Sequence, residues 1–217
     1  MTLSPALVET ALRAWRPATT LRPGDAGHTV ALALYHALVD ALPSAVRPLT
    51  SVALQSLDDL AQRVTVTIAT LGDPVIVLSP VALADDVTHM ATLAHEWVHV
   101  GQIARAGRVQ SAVDYLGSGE LRAQREADAY AAGLWMRYVL TGDLPETAPS
   151  LSELYHLDAG DAALARAIIS SHLASTRAGV LPPLDVCVVL ARLVAAEGDA
   201  AQRARLPRAI TSTESHQ

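Results

Sequence analysis

The spacing of apolar residues changes character near residue 63 and again near residue 85. Before the first change, apolar residues recur at helical spacing, which predicts helices over 3–15, 28–42 and 52–63. Residues 18–27 are rich in proline and glycine and are predicted to form a loop. The first part of the chain is therefore expected to be helical.

The stretch between the two changes predicts a β-hairpin. Residues 63–68 alternate and are rich in β-branched side chains, Gly72 and Pro74 indicate a turn, and residues 75–78 form a short apolar run. The prolines on both sides of that run suggest that the second strand is short and lies at a sheet edge. There it could pair with an extended peptide, or it could equally be a buried strand without that role.

Helical spacing returns after residue 85 and continues almost to the end of the chain. Residues 143–150 are predicted to form a loop, and the polar tail 207–217 is expected to be disordered. The further helices are expected over 85–106, 118–140, 159–174 and 184–197. Together these elements predict one α+β domain over residues 1–217 that is mainly helical, with a helical C-terminal extension over 151–206.

Composition narrows the possible classes of protein. The 217 residues are 51% hydrophobic and 18% charged, and the formal net charge of −6 argues against a nucleic-acid surface. The longest uncharged apolar stretch, 26–39, is shorter than the roughly 20 residues of a membrane span. Residues 1–15 lack the pattern of a secretory signal, and a single cysteine forms no intramolecular disulfide. We therefore expect a cytoplasmic protein with no membrane or nucleic-acid partner, and the low charge makes a homodimer plausible.

One motif in the predicted helix 85–106 points to metal chemistry. His95, Glu96 and His99 form an H-E-x-x-H sequence. On a helix the two histidines differ by about 40° around the axis, so both imidazoles face one point that can hold Zn²⁺. Glu96 is rotated by about 100° and can reach a water on that metal, as a general base requires.

The surroundings of the motif argue against two ordinary surface histidines. Burying two histidines and a glutamate without partners would be costly, and a metal ion removes that cost. Apolar residues lie on nearly every side of this helix, as in a buried helix: Val87, Met90, Leu93, Ala94, Trp97, Val98, Val100 and Ile103.

The third ligand must come from elsewhere in the chain. Gln102 and Arg105 stand where a metzincin would have glycine and histidine, so that class is excluded. Glu126 is the preferred carboxylate because it borders the apolar stripe of the helix 118–140, and its ordinary alternative is a surface pair with Arg122. Glu120 is the second choice; it lies in the first turn of this helix, where an acid that favours the helix end is the ordinary interpretation. The remaining carboxylate candidates are Asp114 and Asp128.

These residues resemble a known family of enzymes. Residues 93–100 with Glu126-Ala127-Asp128-Ala129 are similar to compact gluzincin metallopeptidases, in particular the ImmA/IrrE type and related small bacterial H-E-x-x-H proteins. The resemblance covers about residues 64–140 and implies a zincin-like core in which a small β-sheet lies over the motif helix. It also implies His95, His99 and Glu126 as zinc ligands, Glu96 as the base and a peptide or protein as the substrate.

Other residues have both functional and ordinary interpretations. Tyr130 follows Glu126 by one turn and is a candidate catalytic residue that would bond an oxyanion or a ligand carboxylate, or else a core tyrosine. His172 could stabilise a tetrahedral intermediate or be structural. Asp128 could pair with Arg125 or support a ligand, and Cys187 is expected to fill the core.

The sequence therefore predicts a zinc metallopeptidase. The first alternative is a zinc-binding protein without peptidase activity, such as a scaffold or a partner-binding module. The second is a helical interaction protein in which the motif is accidental. The alanines around Glu126 are also expected to allow close helix packing beside the site.

Overall fold

Most of the chain described by the computed structural model is helical. The description covers residues 3–31, 33, 65–69, 72–155 and 157–207, without the side chains of 153 and 154. The elements are α1 (Pro5–Trp15), β1 (Thr19–Leu21), β2 (Val66–Ile68), β3 (Val75–Val77), a 3₁₀ turn (Val81–Leu83), α2 (Asp86–Ala106), α3 (Arg108–Gly117), α4 (Gly119–Thr141), α5 (Ser152–Tyr155), α6 (Ala159–Arg177), α7 (Asp185–Glu197) and α8 (Ala200–Ala204). This is the predicted mainly helical α+β class.

Some sequence predictions fall on residues outside this description. The helix expected over 52–63 and the tail 208–217 lie there entirely, and so does most of the helix expected over 28–42, of which residues 28–31 are helical. The helices expected over 3–15, 85–106, 118–140, 159–174 and 184–197 are confirmed to within a few residues.

The small sheet corrects two predictions. Its strand order is β1-β3-β2, so β3 is the central strand and not an edge strand. β2 and β3 form the expected antiparallel hairpin, but β1 pairs with β3 in parallel, inside the stretch predicted to be a loop. The suggestion that an extended peptide pairs with residues 75–78 is therefore wrong, because β1 and β2 already pair with both sides of β3. β1 escaped prediction because it has only three residues and its partner lies more than fifty positions away.

The ends of the two long helices follow from local chemistry. The Asp85 side chain accepts a hydrogen bond from the Thr88 amide at the start of α2, and the Ser118 side chain does the same for Leu121 at the start of α4. Gly107 and Gly142 end these helices at φ 81° and 85°, a conformation that other residues rarely adopt. Between the two helices, residues 108–117 form α3, which the sequence analysis did not predict.

The core lies between α2 and α4. Trp97 on α2 and Trp135 on α4 are almost completely buried, and α1, α7 and the sheet enclose the same apolar cluster. A second cluster lies between α4 and α6, so α4 is covered on two sides. Buried alanines line much of α4, in line with the expected close packing of this helix: Ala123, Ala127, Ala129, Ala131 and Ala132.

A glycine of α4 lies close to the backbone of α2. A Cβ atom at Gly133 would lie 3.1 Å from the carbonyl oxygen of Ala91 and 3.7 Å from the Cβ atom of His95. The absence of a side chain at Gly133 therefore lets α4 lie directly against the turn of α2 that carries the motif. Within the described residues, no helix combines the length and the apolar character needed to cross a membrane.

We predict that Gly133→Ala and Gly101→Ala have different effects on stability. Both glycines are in helices, so alanine should gain about 1 kcal/mol of helix propensity at either position. At Gly101 the new methyl group meets only the Trp15 ring, at 3.6 Å, so the gain should be kept. At Gly133 the contact with the Ala91 backbone should cancel it, and chemical denaturation measures both. The prediction fails if Gly133→Ala is as stable as Gly101→Ala.

Candidate metal centre

The two motif histidines face a common point, as predicted. Their Nε2 atoms lie 3.3 Å apart. Glu126 on α4 approaches the same point, with Oε2 3.6 Å from His95 Nε2 and Oε1 3.6 Å from His99 Nε2. Ligand atoms about 2.0–2.1 Å from a tetrahedral zinc ion lie roughly 3.4 Å from one another. The separations of these three side chains therefore suit such an ion.

Glu126 is buried and only partly satisfied by the protein. The residue is 2% exposed. Its Oε1 atom accepts a 2.7 Å hydrogen bond from the Tyr115 hydroxyl, whereas Oε2 is buried and has no hydrogen-bond partner in the described chain. Leaving a buried carboxylate oxygen unpaired is costly. A metal ion beside the two Nε2 atoms would supply the missing partner, so the residues fit the expected zinc site.

The other candidate third ligands have different partners. Glu120 accepts a hydrogen bond from Gln124 on the exposed side of α4. Asp114 pairs with Arg125 at 2.7 Å, and Asp128 pairs with His172 at 3.2 Å. Among the described residues, His95, His99 and Glu126 form the one group of metal-binding side chains close enough to share an ion.

Arg122 is not the surface partner of Glu126 that the alternative interpretation required. Its side chain is buried and donates to two backbone carbonyls, those of Tyr115 at 2.9 Å and Tyr155 at 3.0 Å. Arg122 thus joins α3 and α5 to α4, beside the group of ligands.

The sheet positions the expected base. Thr67 on β2 donates a 2.6 Å hydrogen bond to Oε2 of Glu96. The other oxygen of Glu96, Oε1, lies 3.9 Å from His95 Nε2, next to the point shared by the ligands. Glu96 is therefore a neighbour of the site, and its two carboxylate oxygens have different surroundings, Thr67 at Oε2 and His95 near Oε1.

A glutamine sets the tautomer of His99. Gln102 donates from Nε2 to the Arg125 carbonyl at 3.1 Å, so its Oε1 atom faces His99 Nδ1 at 2.9 Å. Because this oxygen only accepts, Nδ1 of His99 must donate, and Nε2 remains the ring atom available to a metal.

Tyr130 lies beside the site, as its position after Glu126 suggested. Its ring packs edge-on against the His95 ring, with centroids 5.0 Å apart, and against Tyr155 at 6.1 Å. Burial raises the pKa of the Tyr130 phenol, and the negative charges of Glu126 and Glu96 act in the same direction. The phenol therefore remains a hydrogen-bond donor at neutral pH.

Three residues around the site were missed by the sequence analysis: Thr67, Gln102 and Tyr115. Thr67 alternates with Val66 and Ile68 along its strand, and that alternation is a signal that it faces a different side. Gln102 follows His99 by three positions, the spacing of neighbours on a helix face. No local signal marks Tyr115, because it reaches Glu126 only through the packing of α3 on α4.

The remaining candidates have ordinary surroundings. His172 is bonded to Asp128, and Arg125 is occupied by Asp114, so the suggested Asp128–Arg125 pair is wrong. Cys187 is completely buried in the core, as predicted, and burial raises the pKa of its thiol.

The charges of Glu126 and His99 depend on each other in the metal-free protein. Burial disfavours both charged forms, but the neighbouring groups together outweigh it: His99 and His95 favour the charged form of Glu126, and Glu126, Glu96 and Gln102 favour that of His99. The pKa of the Glu126 carboxyl is therefore held well below its usual range, and that of His99 is raised to about 9. Without a metal, the proton on His99 serves as the positive charge that Glu126 requires.

Comparison with protein-family models, with curated proteins and with solved structures gave no match for this chain.

We predict that the metal-free protein loses stability as the pH rises from 6.5 to 9. A folded pKa of about 9 for His99, against an ordinary 6.5, stabilises the fold fully below pH 6.5, and the contribution disappears as the pH passes 9. Melting temperatures in a chelator, measured across this range, check the expectation. His99→Gln should have a shallower slope, and equal slopes in the two proteins would contradict this account.

Proposed function

We propose that this protein is a zincin-like zinc metallopeptidase that hydrolyses peptide bonds, with Glu96 as the general base. The observation that carries the proposal is the buried Oε2 atom of Glu126, which has no hydrogen-bond partner among the described residues and lies 3.6 Å from His95 Nε2. The H-E-x-x-H spacing alone would allow two ordinary helix histidines. A metal is favoured because a carboxylate from another helix lies beside these histidines, and one of its oxygens has no hydrogen-bond partner in the described part of the chain.

The set of donors favours zinc in a catalytic arrangement. Two imidazoles and one carboxylate are typical ligands of catalytic zinc, and three protein ligands leave a fourth position open. A zinc ion held by His95, His99 and Glu126 would act as a Lewis acid that polarises the scissile carbonyl and lowers the pKa of water.

The chain's own residues would complete the reaction. Glu96 would take a proton from the attacking water and deliver it to the leaving amine, while Thr67 holds its far oxygen in place. Tyr130 would donate a hydrogen bond from its phenolic O–H to the oxygen that becomes negatively charged at the substrate carbonyl. The buried Cys187 forms no disulfide, which is compatible with the cytoplasm as the place of action.

We predict that Glu126→Ala weakens zinc binding more than Glu120→Ala does. Loss of a direct ligand should exceed the roughly 10–100-fold effect typical of an outer partner. Glu120 lies on the same helix but bonds to Gln124, so its substitution should leave affinity unchanged. Zinc content after metal removal and reloading, together with a competition titration, measures both. Less than about half an equivalent of zinc in the wild-type protein would rule out the metal site.

We predict that Glu96→Gln keeps zinc and loses peptidase turnover by about 10²–10⁴-fold. The amide preserves the shape of the side chain but cannot take up a proton at neutral pH. The measurement is cleavage of a broad peptide library, with zinc content determined on the same samples. His89→Gln is the matched control, because His89 is on the same helix and is not one of the group of ligands.

Two outcomes would count against the enzyme. If Glu96→Gln cleaves as fast as the wild type, Glu96 is not the base. If the zinc-loaded wild type cleaves nothing in the library, a zinc-binding protein without peptidase activity becomes the better interpretation.

A further inference from the structure

Tyr115 makes a contact with the candidate metal centre that the proposed reaction does not use. Its hydroxyl lies 2.7 Å from Oε1 of Glu126. Because a carboxylate only accepts, Tyr115 is the donor. The two oxygens of Glu126 are thereby made unequal, since Oε1 has a partner and Oε2 has none in the described chain.

Tyr115 is held in this position from its backbone. The buried guanidinium of Arg122 donates to the Tyr115 carbonyl at 2.9 Å. Arg125 donates to Asp114 at 2.7 Å and to the Ser111 side chain at 2.7 Å, so a second arginine of α4 binds the same helix. α3 is thus attached to α4 by two arginines that precede Glu126 in the sequence, by four positions and by one.

The tautomer of His99 depends on the same part of the structure. Gln102, which accepts from His99 Nδ1, donates to the Arg125 carbonyl. Oε1 of Glu126 is therefore held by Tyr115 of α3, and Nδ1 of His99 by Gln102 of α2, which is itself bonded to the backbone of α4. Hydrogen bonds of this kind orient the ligands and influence which of their atoms remain available to an ion.

We propose that Tyr115 is a positioning residue that reserves Oε2 of Glu126 for the metal and orients this ligand toward His95 and His99. The inference rests on the proposed function only in that it requires a metal at this site, and it does not depend on peptidase activity. Tyr115 contacts the ligand and is not assigned a role in the reaction itself.

The test is zinc affinity in Tyr115→Phe, which removes one oxygen atom and keeps the ring. We expect zinc to bind about 10–100-fold more weakly, the usual effect of losing an outer partner of a ligand. Loading with Co²⁺ should also give an altered visible absorption spectrum, because the orientation of the carboxylate changes the field around the ion. Both measurements are made at a temperature at which circular dichroism shows the protein to be folded.

Two controls separate positioning from general destabilisation. Tyr138→Phe also removes a phenolic oxygen, but about 18 Å along α4 from Glu126, where the ring packs against the main core. Leu12→Ala leaves a cavity where α1 packs on the core, and it should lower the melting temperature by a mechanism unrelated to the site. We expect both variants to bind zinc as the wild type does.

The outcomes distinguish this inference from the proposed function. If Tyr115→Phe matches the wild type in zinc affinity and in its Co²⁺ spectrum, the positioning role is wrong and the metal site stands. If Leu12→Ala weakens zinc binding as much as Tyr115→Phe does, the weaker binding results from general destabilisation and the inference is overturned. If the wild type binds no zinc, both proposals fail. If zinc binds as expected and no peptide is cleaved, only the peptidase assignment fails.

Discussion

Four ionisable side chains are buried where α2 and α4 meet, and the surrounding structure must compensate for their loss of contact with water. His95, Glu96, His99 and Glu126 have side chains between 3% and 16% exposed. Charged or polar groups at this depth require partners. Three different elements supply hydrogen-bond partners: Thr67 of the sheet for Glu96, Gln102 of α2 for His99, and Tyr115 of α3 for Glu126.

The close approach of the helices makes this arrangement possible. α4 lies against α2 because it carries glycine at position 133 and buried alanines along the same region. Larger side chains there would separate the helices, and Glu126 could no longer reach the histidines. These small residues therefore have a geometric role at the site.

The parts of the fold that the sequence predicted are those with a local cause. The limits of α2 and α4 follow from Asp85, Ser118 and two glycines, and the histidine pair follows from helical spacing. The apolar stripe of α4 was enough to prefer Glu126. What escaped prediction depends on contacts between distant segments: β1 exists because β3 supplies its partner, and Tyr115 reaches Glu126 because two arginines hold α3 against α4.

The position of Glu96 bears on whether such a site is structural or catalytic. A structural zinc site is closed by four protein ligands, whereas the described chain brings three metal-binding side chains together. Glu96 lies near these three side chains, but Thr67 binds one of its oxygens and the other lies 3.9 Å from His95 Nε2. A carboxylate kept beside the ligands but outside their group has no use in a closed site. Such a carboxylate has a use if a water molecule must lose a proton at the open position. The placement of Glu96 beside the three ligands is therefore an argument for the proposed hydrolysis over a purely structural zinc site.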